Sequence, residues 1–219
     1  MSHAALPFPV LPGKGEADIR KITERFKSDP AGYRESRRFG GVTLERAYWQ
    51  HTPMGDFVVA YLETDKPTMG EAIAAAGADN SEMGRFFREH VKEVHGIDLT
   101  QIPPGPAPEV VGEWSDPDVT ERRKGFAFSA PLLPDAVDRG RAFATEAFVT
   151  RRDEHAASRR ALGVNREVVT LVHTPMGPVT AVYIEGNDPF EGNRRFAAST
   201  GAHDTWFKDQ LKTLYPPYI

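Results

Sequence analysis

ESRRFGGVTLERAYWQHTPMGDFVVAYLE (residues 35–63) and ASRRALGVNREVVTLVHTPMGPVTAVYIE (157–185) align without a gap at an offset of 122. Ser36, Arg37, Arg38, Gly41, Val42 and Glu45 recur as Ser158, Arg159, Arg160, Gly163, Val164 and Glu167. His51–Gly55 recurs as His173–Gly177, and Tyr61 and Glu63 recur as Tyr183 and Glu185. The offset holds upstream, where Pro9, Leu11 and Pro12 match Pro131, Leu133 and Pro134. After a two-residue shortening, Phe86-Phe87-Arg88 lines up with Trp206-Phe207-Lys208. The chain is a tandem duplication, a feature to be sought before any secondary structure is assigned.

Each copy reads in one order. A short apolar segment ending in Leu-Pro (6–12; 125–134) reads as a strand. Next is a helical stretch, with Ile19, Ile22, Phe26 and Tyr33 at near-helical spacing in the first copy. Gly41 and Gly163 mark its end. Two runs rich in Val, Tyr, Trp and Ile follow, joined by a Pro- and Gly-containing turn, and read as a hairpin. Pro67 and Pro189 then open a second helical region, since proline is tolerated in a first turn. Its amphipathic ends carry Met83, Phe86, Phe87, Val91 and Val94, then Trp206, Phe207, Leu211 and Leu214. Copy one runs on through Pro103-Pro104-Gly105-Pro106 to Glu109–Trp114, expected as its fourth strand. Copy two has no counterpart and should leave an open sheet edge. The implied domains are 1–118, with connector and fourth strand, and 119–219.

Strand, helix, hairpin, helix, strand is the split βαβ, or ferredoxin-like, order, in which one sheet face needs cover from another layer. The chain resembles the dimeric α+β barrel superfamily. Its HTPMG hairpin, Tyr-x-Glu and FFREHVKEVHGIDL are similar to a bacterial family of uncharacterised function within it. The resemblance implies an α+β fold of two tandem ferredoxin-like βαββα(β) units that pair their sheets into a pseudo-dimeric barrel. It also implies cofactor-independent oxygenation, isomerisation or cyclisation as reaction types, although a fold of this kind hosts many chemistries.

Composition narrows the classes. A net charge of −4 with Arg scattered among acids argues against a nucleic-acid partner. The absence of cysteine excludes disulfides, thiolate metal sites and Cys nucleophiles. The first residues lack a signal-peptide pattern, and no stretch approaches the ~20 apolar residues of a membrane span. A soluble cytoplasmic protein without membrane association is expected, as a monomeric pseudo-dimer or a homodimer.

Strand alternation sorts the hairpin side chains. Arg46, Tyr48, Gln50, Val59, Tyr61 and Glu63 share one face, matched by Val168, Thr170, Val172, Ala181, Tyr183 and Glu185. Ala47, Trp49, His51, Val58, Ala60 and Leu62 share the other, matched by Val169, Leu171, His173, Thr180, Val182 and Ile184. The second face reads as tightly packed core, and the first as the wall of a polar-tipped pocket. Tyr183 with Glu185, and Tyr61 with Glu63, are the catalytic candidates, because a phenol beside a carboxylate can exchange a proton with a bound molecule. The bland reading pairs Glu63 with Arg46 across the hairpin. In copy two Val168 replaces Arg46, which would leave Glu185 unpaired. His173, His51, Thr170, Tyr48 and Trp206 are the substrate-binding candidates. The histidines would equally serve as turn supports before Thr-Pro, and the tryptophan as core. No metal or cofactor is expected from these motifs, with haem on a histidine as the exception to test. The functional expectation is binding of a small apolar or aromatic molecule, with catalysis on it. The alternatives are non-catalytic sequestration of haem or a metabolite, and a structural or assembly role without a pocket.

Overall fold

The computed structural model describes residues 2–53, 55–101 and 106–217. Met54 of the first hairpin tip and Pro103, Pro104 and Gly105 of the Pro-rich connector lie outside them. The chain forms two compact units, Met1–Pro108 and Glu109–Ile219.

In the first unit β1 (Ser2–Pro9) is followed by α1 (Glu16–Ser28), α2 (Pro30–Phe39), β2 (Val42–Thr52), β3 (Gly55–Thr64), α3 (Met69–Ala78) and α4 (Glu82–His95). The expected single helix is two helices, because Pro30 removes a backbone donor and Asp29 caps the new start by accepting from Gly32 N. The sheet is antiparallel in the order β1-β3-β2. In the second unit β4 (Glu109–Ser115) and β5 (Lys124–Pro131) precede α5 (Val137–Thr145), a π-helical turn (Glu146–Thr150) and α6 (Arg152–Ala161). Then come β6 (Val164–Thr174), β7 (Gly177–Gly186), α7 (Pro189–Ala198) and α8 (Ala202–Leu214). This sheet has the order β4-β6-β7-β5. None of the described helices is long and apolar enough to cross a membrane.

The two hairpins close on matching residue pairs. Thr52 pairs with Gly55 and Thr174 with Gly177, and in the second hairpin Pro175 and Met176 form a two-residue turn. Each Thr Oγ1 donates to the Gly carbonyl, at 2.6 Å and 2.8 Å. The glycines sit at φ of 119° and 120°, a conformation that side chains disfavour. The expected alternation holds through the hairpins, where Arg46 faces Tyr61 and Val168 faces Tyr183. The bulges fall at the strand starts, between Val42 and Leu44 and between Val164 and Arg166.

One assignment is corrected. The segment 109–115, expected as the fourth strand of a first domain ending at residue 118, pairs with β6 and belongs to the second unit. Among the described residues β2 of the three-stranded first sheet has no neighbour on its outer side, whereas the matching strand β6 has β4 there. Packing explains the choice: Trp114 is 5% exposed and joins a core with Ala144, Ala147, Phe148, Leu162, Ile184 and Phe207. Gly112 allows this fit, since a Cβ there would lie 2.4 Å from the Phe148 ring.

Candidate functional site

The helices α5–α8 cover the β6–β7 face that carries Glu167, Val169, Leu171, Thr180, Val182 and Ile184. Between them lies a cavity of about 670 Å³, walled also by Phe143, Phe148, Phe196, Phe207 and Leu211. That volume is within the usual range for small-molecule sites. The face expected as tight core thus lines the hollow. The face expected as the pocket wall is close-packed: Val168, Thr170, Ala181, Tyr183 and Glu185 are each at most 2% exposed.

One end of the cavity is ionic. Glu167 accepts from Arg159 Nε at Oε2 and from Arg159 Nη2 at Oε1, the latter at 3.3 Å. His155 Nε2 lies 3.0 Å from the same Oε2. Arg159 and His155, four residues apart, fall on one face of α6. Burial alone would push the Glu167 carboxyl up. The Arg159 guanidinium, followed by the hydrogen bond and charge of His155, holds it well below the ordinary glutamate range. An ionised Glu167 makes His155 Nε2 the donor. Nδ1 is buried without a hydrogen-bond partner, among Phe148 (4.4 Å between ring centres), His203 (5.6 Å), Phe207 and Trp114. Arg159 also stacks against Phe196 and Phe207, at 4.9 and 5.0 Å.

The other end is hydroxylic. Thr180 Oγ1 lies 2.6 Å from the Tyr215 hydroxyl, and both residues line the cavity. Burial pushes the Tyr215 phenol up. Thr180 pairs with Leu171, four residues along β6 from Glu167. At ~3.3 Å per residue the polar ends are roughly 13 Å apart. The site is an apolar slot with an anion–cation pair at one end and two hydroxyls at the other.

The first unit repeats the ionic motif in a different setting. Tyr33 stands in place of His155 and donates to Glu45 Oε2 at 3.2 Å, while Arg37 Nε lies 3.6 Å from that oxygen. Arg37 is stacked on Phe87 at 4.3 Å, as Arg159 is on Phe207.

The anticipated residues divide between places. Tyr183 donates to Glu185 at 2.6 Å and Tyr61 to Glu63 at 2.7 Å. Tyr183, Glu185 and Thr170 are buried on the face opposite the cavity, and Tyr48 is half-buried on the corresponding face of β2. Glu185 is not unpaired, because Arg122 donates to it at 2.9 Å in addition to Tyr183. His51 and His173 are exposed beside the hairpin tips, and His51 Nδ1 lies 2.5 Å from Asp56. Trp206 is half-buried on α8 beneath Arg151, at 4.3 Å, and is not a cavity-lining residue. The group that sequence reasoning missed is Glu167 with its partners. Its signal was an acidic residue recurring at the same place in both repeats, on an otherwise apolar face. Among the described residues no group of three His, Asp or Glu side chains is placed to hold a metal ion.

No protein-family model and no curated protein matches the chain. Among solved structures, it is similar to one described as an anthrone oxidase-like protein, at 10% identity. The likeness covers 99% of this chain and 87% of that one with a TM-score of 0.56, and it establishes a shared fold.

Proposed function

We propose that the second unit binds an extended, largely apolar aromatic molecule with an oxygen function near each end, and acts on it chemically. The observation that carries this reading is the cavity of about 670 Å³ with Glu167 and Arg159 in its wall. A carboxylate kept ionised accepts a phenolic or enolic hydroxyl. The guanidinium beside it favours the anion formed when that hydroxyl gives up its proton to bulk water, Glu167 being held too acidic to keep it, an effect strengthened by the apolar surroundings. An aromatic anion of this kind is electron-rich enough to react with oxygen or to isomerise through its own delocalised charge. Cofactor-independent oxidation or isomerisation is therefore the reaction class that fits. The fold relative described as anthrone oxidase-like supports this class, an anthrone being a tricyclic aromatic ketone.

The test compares native and denaturing mass spectra of the chain purified without added ligand, then titrates it with an anthracene-type fluorophore. Gly140 lines the cavity, and a Cβ there meets nothing within 4 Å. Gly140→Phe should abolish saturable one-to-one binding while preserving the fold. Equal binding by the variant removes the cavity as the site. A Soret band on adding haem, lost in Gly140→Phe, would instead assign haem sequestration. Chemistry at Tyr183–Glu185 or Tyr61–Glu63 is a separate proposal, under which Tyr183→Phe lowers turnover and leaves fluorophore binding unchanged.

A further inference from the structure

The two repeats differ in how the edge of their central hairpin is finished. In the second unit β4 lies along β6, and Asp116, the residue after it, donates its backbone N–H to Asn165 O at 2.8 Å. Arg160 then clasps the Asp116 carboxylate through Nε and Nη2, at 2.8 and 2.9 Å. Its guanidinium also lies 5.9 Å from the Trp114 ring. Asn165 is the bulged residue of β6, and Thr43 is the bulged residue of β2 at the matching position. Arg38 matches Arg160 in the same way. Yet among the described residues no strand pairs with the outer edge of β2. Thr43, Ala47 and His51 are exposed along that strand. Arg38 is exposed too, and its side chain has no hydrogen-bond or ion-pair partner among the described residues. A hollow of about 360 Å³, lined by Tyr33, Arg34, Arg38, Thr43 and Leu44 among others, opens there.

We propose that the β2 edge with Arg38 docks an extended segment of a partner protein that carries an aromatic residue and, two residues later, a carboxylate. The recognition is strand addition, in which backbone pairing gives affinity and one charged anchor sets register. By the repeat correspondence, the β4–β6 register of Glu109↔Leu171 to Ser115↔Arg166 places the incoming strand along Leu44–Trp49. Around the hollow Arg37 is paired with Glu45, and Arg34 and Arg38 outnumber the one remaining acid, Asp65, which favours an acidic segment as Arg160 favours Asp116.

The probe is a labelled peptide of sequence EVVGEWSDPD, the chain's own residues 109–118. Added to the whole protein, it should bind and slow amide exchange at residues 44–50. Arg38→Glu should weaken binding about tenfold or more, and a peptide with lysine in place of the first aspartate should restore it. Absence of protection at 44–50 overturns the proposal. So does protection confined to β6, which would show exchange with the resident β4. Protection of 44–50 that rises with protein concentration without peptide would assign the edge to a second copy of the chain and would equally overturn it.

Discussion

Ser158 donates to Asp204 at 2.5 Å, and the matching Ser36 donates at 2.6 Å to Asp79, which is not the counterpart of Asp204. With the two-residue shortening, Asp204 corresponds to Gly84 and Asp79 to Ser199. The two repeats therefore keep a serine–carboxylate contact and draw the carboxylate from different positions. In the first unit a Cβ on Gly84 would lie 2.3 Å from Asp79 Cγ, so the Asp79 side chain occupies the space of the missing one. In the second, Ser199 donates to Asp204 Oδ2 at 2.5 Å and leaves that space to Asp204. Each carboxylate lies close to a helix start, α4 or α8, where the dipole favours negative charge.

This exchange predicts a reciprocal rescue. Gly84→Asp alone places two carboxylates in one space and should destabilise the protein by about 1–3 kcal/mol. Adding Asp79→Ser recreates the arrangement of the second repeat and should recover most of that loss. Urea unfolding of the single and double variants reads the difference. No recovery in the double variant would show that the two positions are not interchangeable.

The Arg159–Glu167 pair is buried on both sides. Removing one partner strands the other charge, so Glu167→Leu should cost about 3–5 kcal/mol, whereas Arg159→Met with Glu167→Leu should cost much less. The pH dependence follows from the direction of the Glu167 shift. Its folded pKa lies below the unfolded value, so its contribution is complete above the ordinary glutamate pKa of ~4.3 and is lost as pH falls toward the folded one. The stability gap between wild type and Glu167→Gln should therefore be widest near neutrality and should narrow below about pH 4. A gap independent of pH would show that the carboxyl is not held ionised.

How far these features were legible depends on whether they are local. The second hairpin's turn was, because Thr174, Pro175 and Gly177 carry their own turn chemistry and the strands alternate without a bulge near the tip. The two side-chain faces were sorted for the same reason. Which face the helices would cover was not legible, since alternation separates two faces without naming their neighbours. Glu167 and Arg159 were visible as a recurring pair, while their contact depends on how α6 lies against β6. Most concealed was β4, which follows the first repeat in sequence and joins the second sheet through Trp114, Gly112 and Phe148.

Tyr33 predicts behaviour at the alkaline end. Burial first, then the negative charge of Glu45, pushes its phenol up to about 12. A raised folded pKa contributes stability that is complete below the unfolded value of ~10 and disappears as pH rises through about 12. Between pH 9 and 11 the wild type should lose stability relative to Tyr33→Phe. Chemical denaturation at those two values measures it, and parallel losses in both proteins would contradict the assignment.

The placement of β4 makes Gly112 a sensitive position. A Cβ there would lie 2.4 Å and 2.5 Å from two carbons of the Phe148 ring, which is itself 7% exposed and held by the second core. The ring packs on His155 and borders the cavity, so the added carbons must displace the ring, β4 or both. Gly112→Val should destabilise the second unit by about 1–3 kcal/mol, and amide exchange should quicken along β4 and its β6 partners from Arg166 to Leu171. Phe148→Ala introduced with it removes the clash and should restore protection of the strand, even though its own cavity lowers overall stability. If β4 instead belonged to the first sheet, protection would change along β1 or β2 and leave β6 untouched, so the exchange pattern alone distinguishes the two pairings.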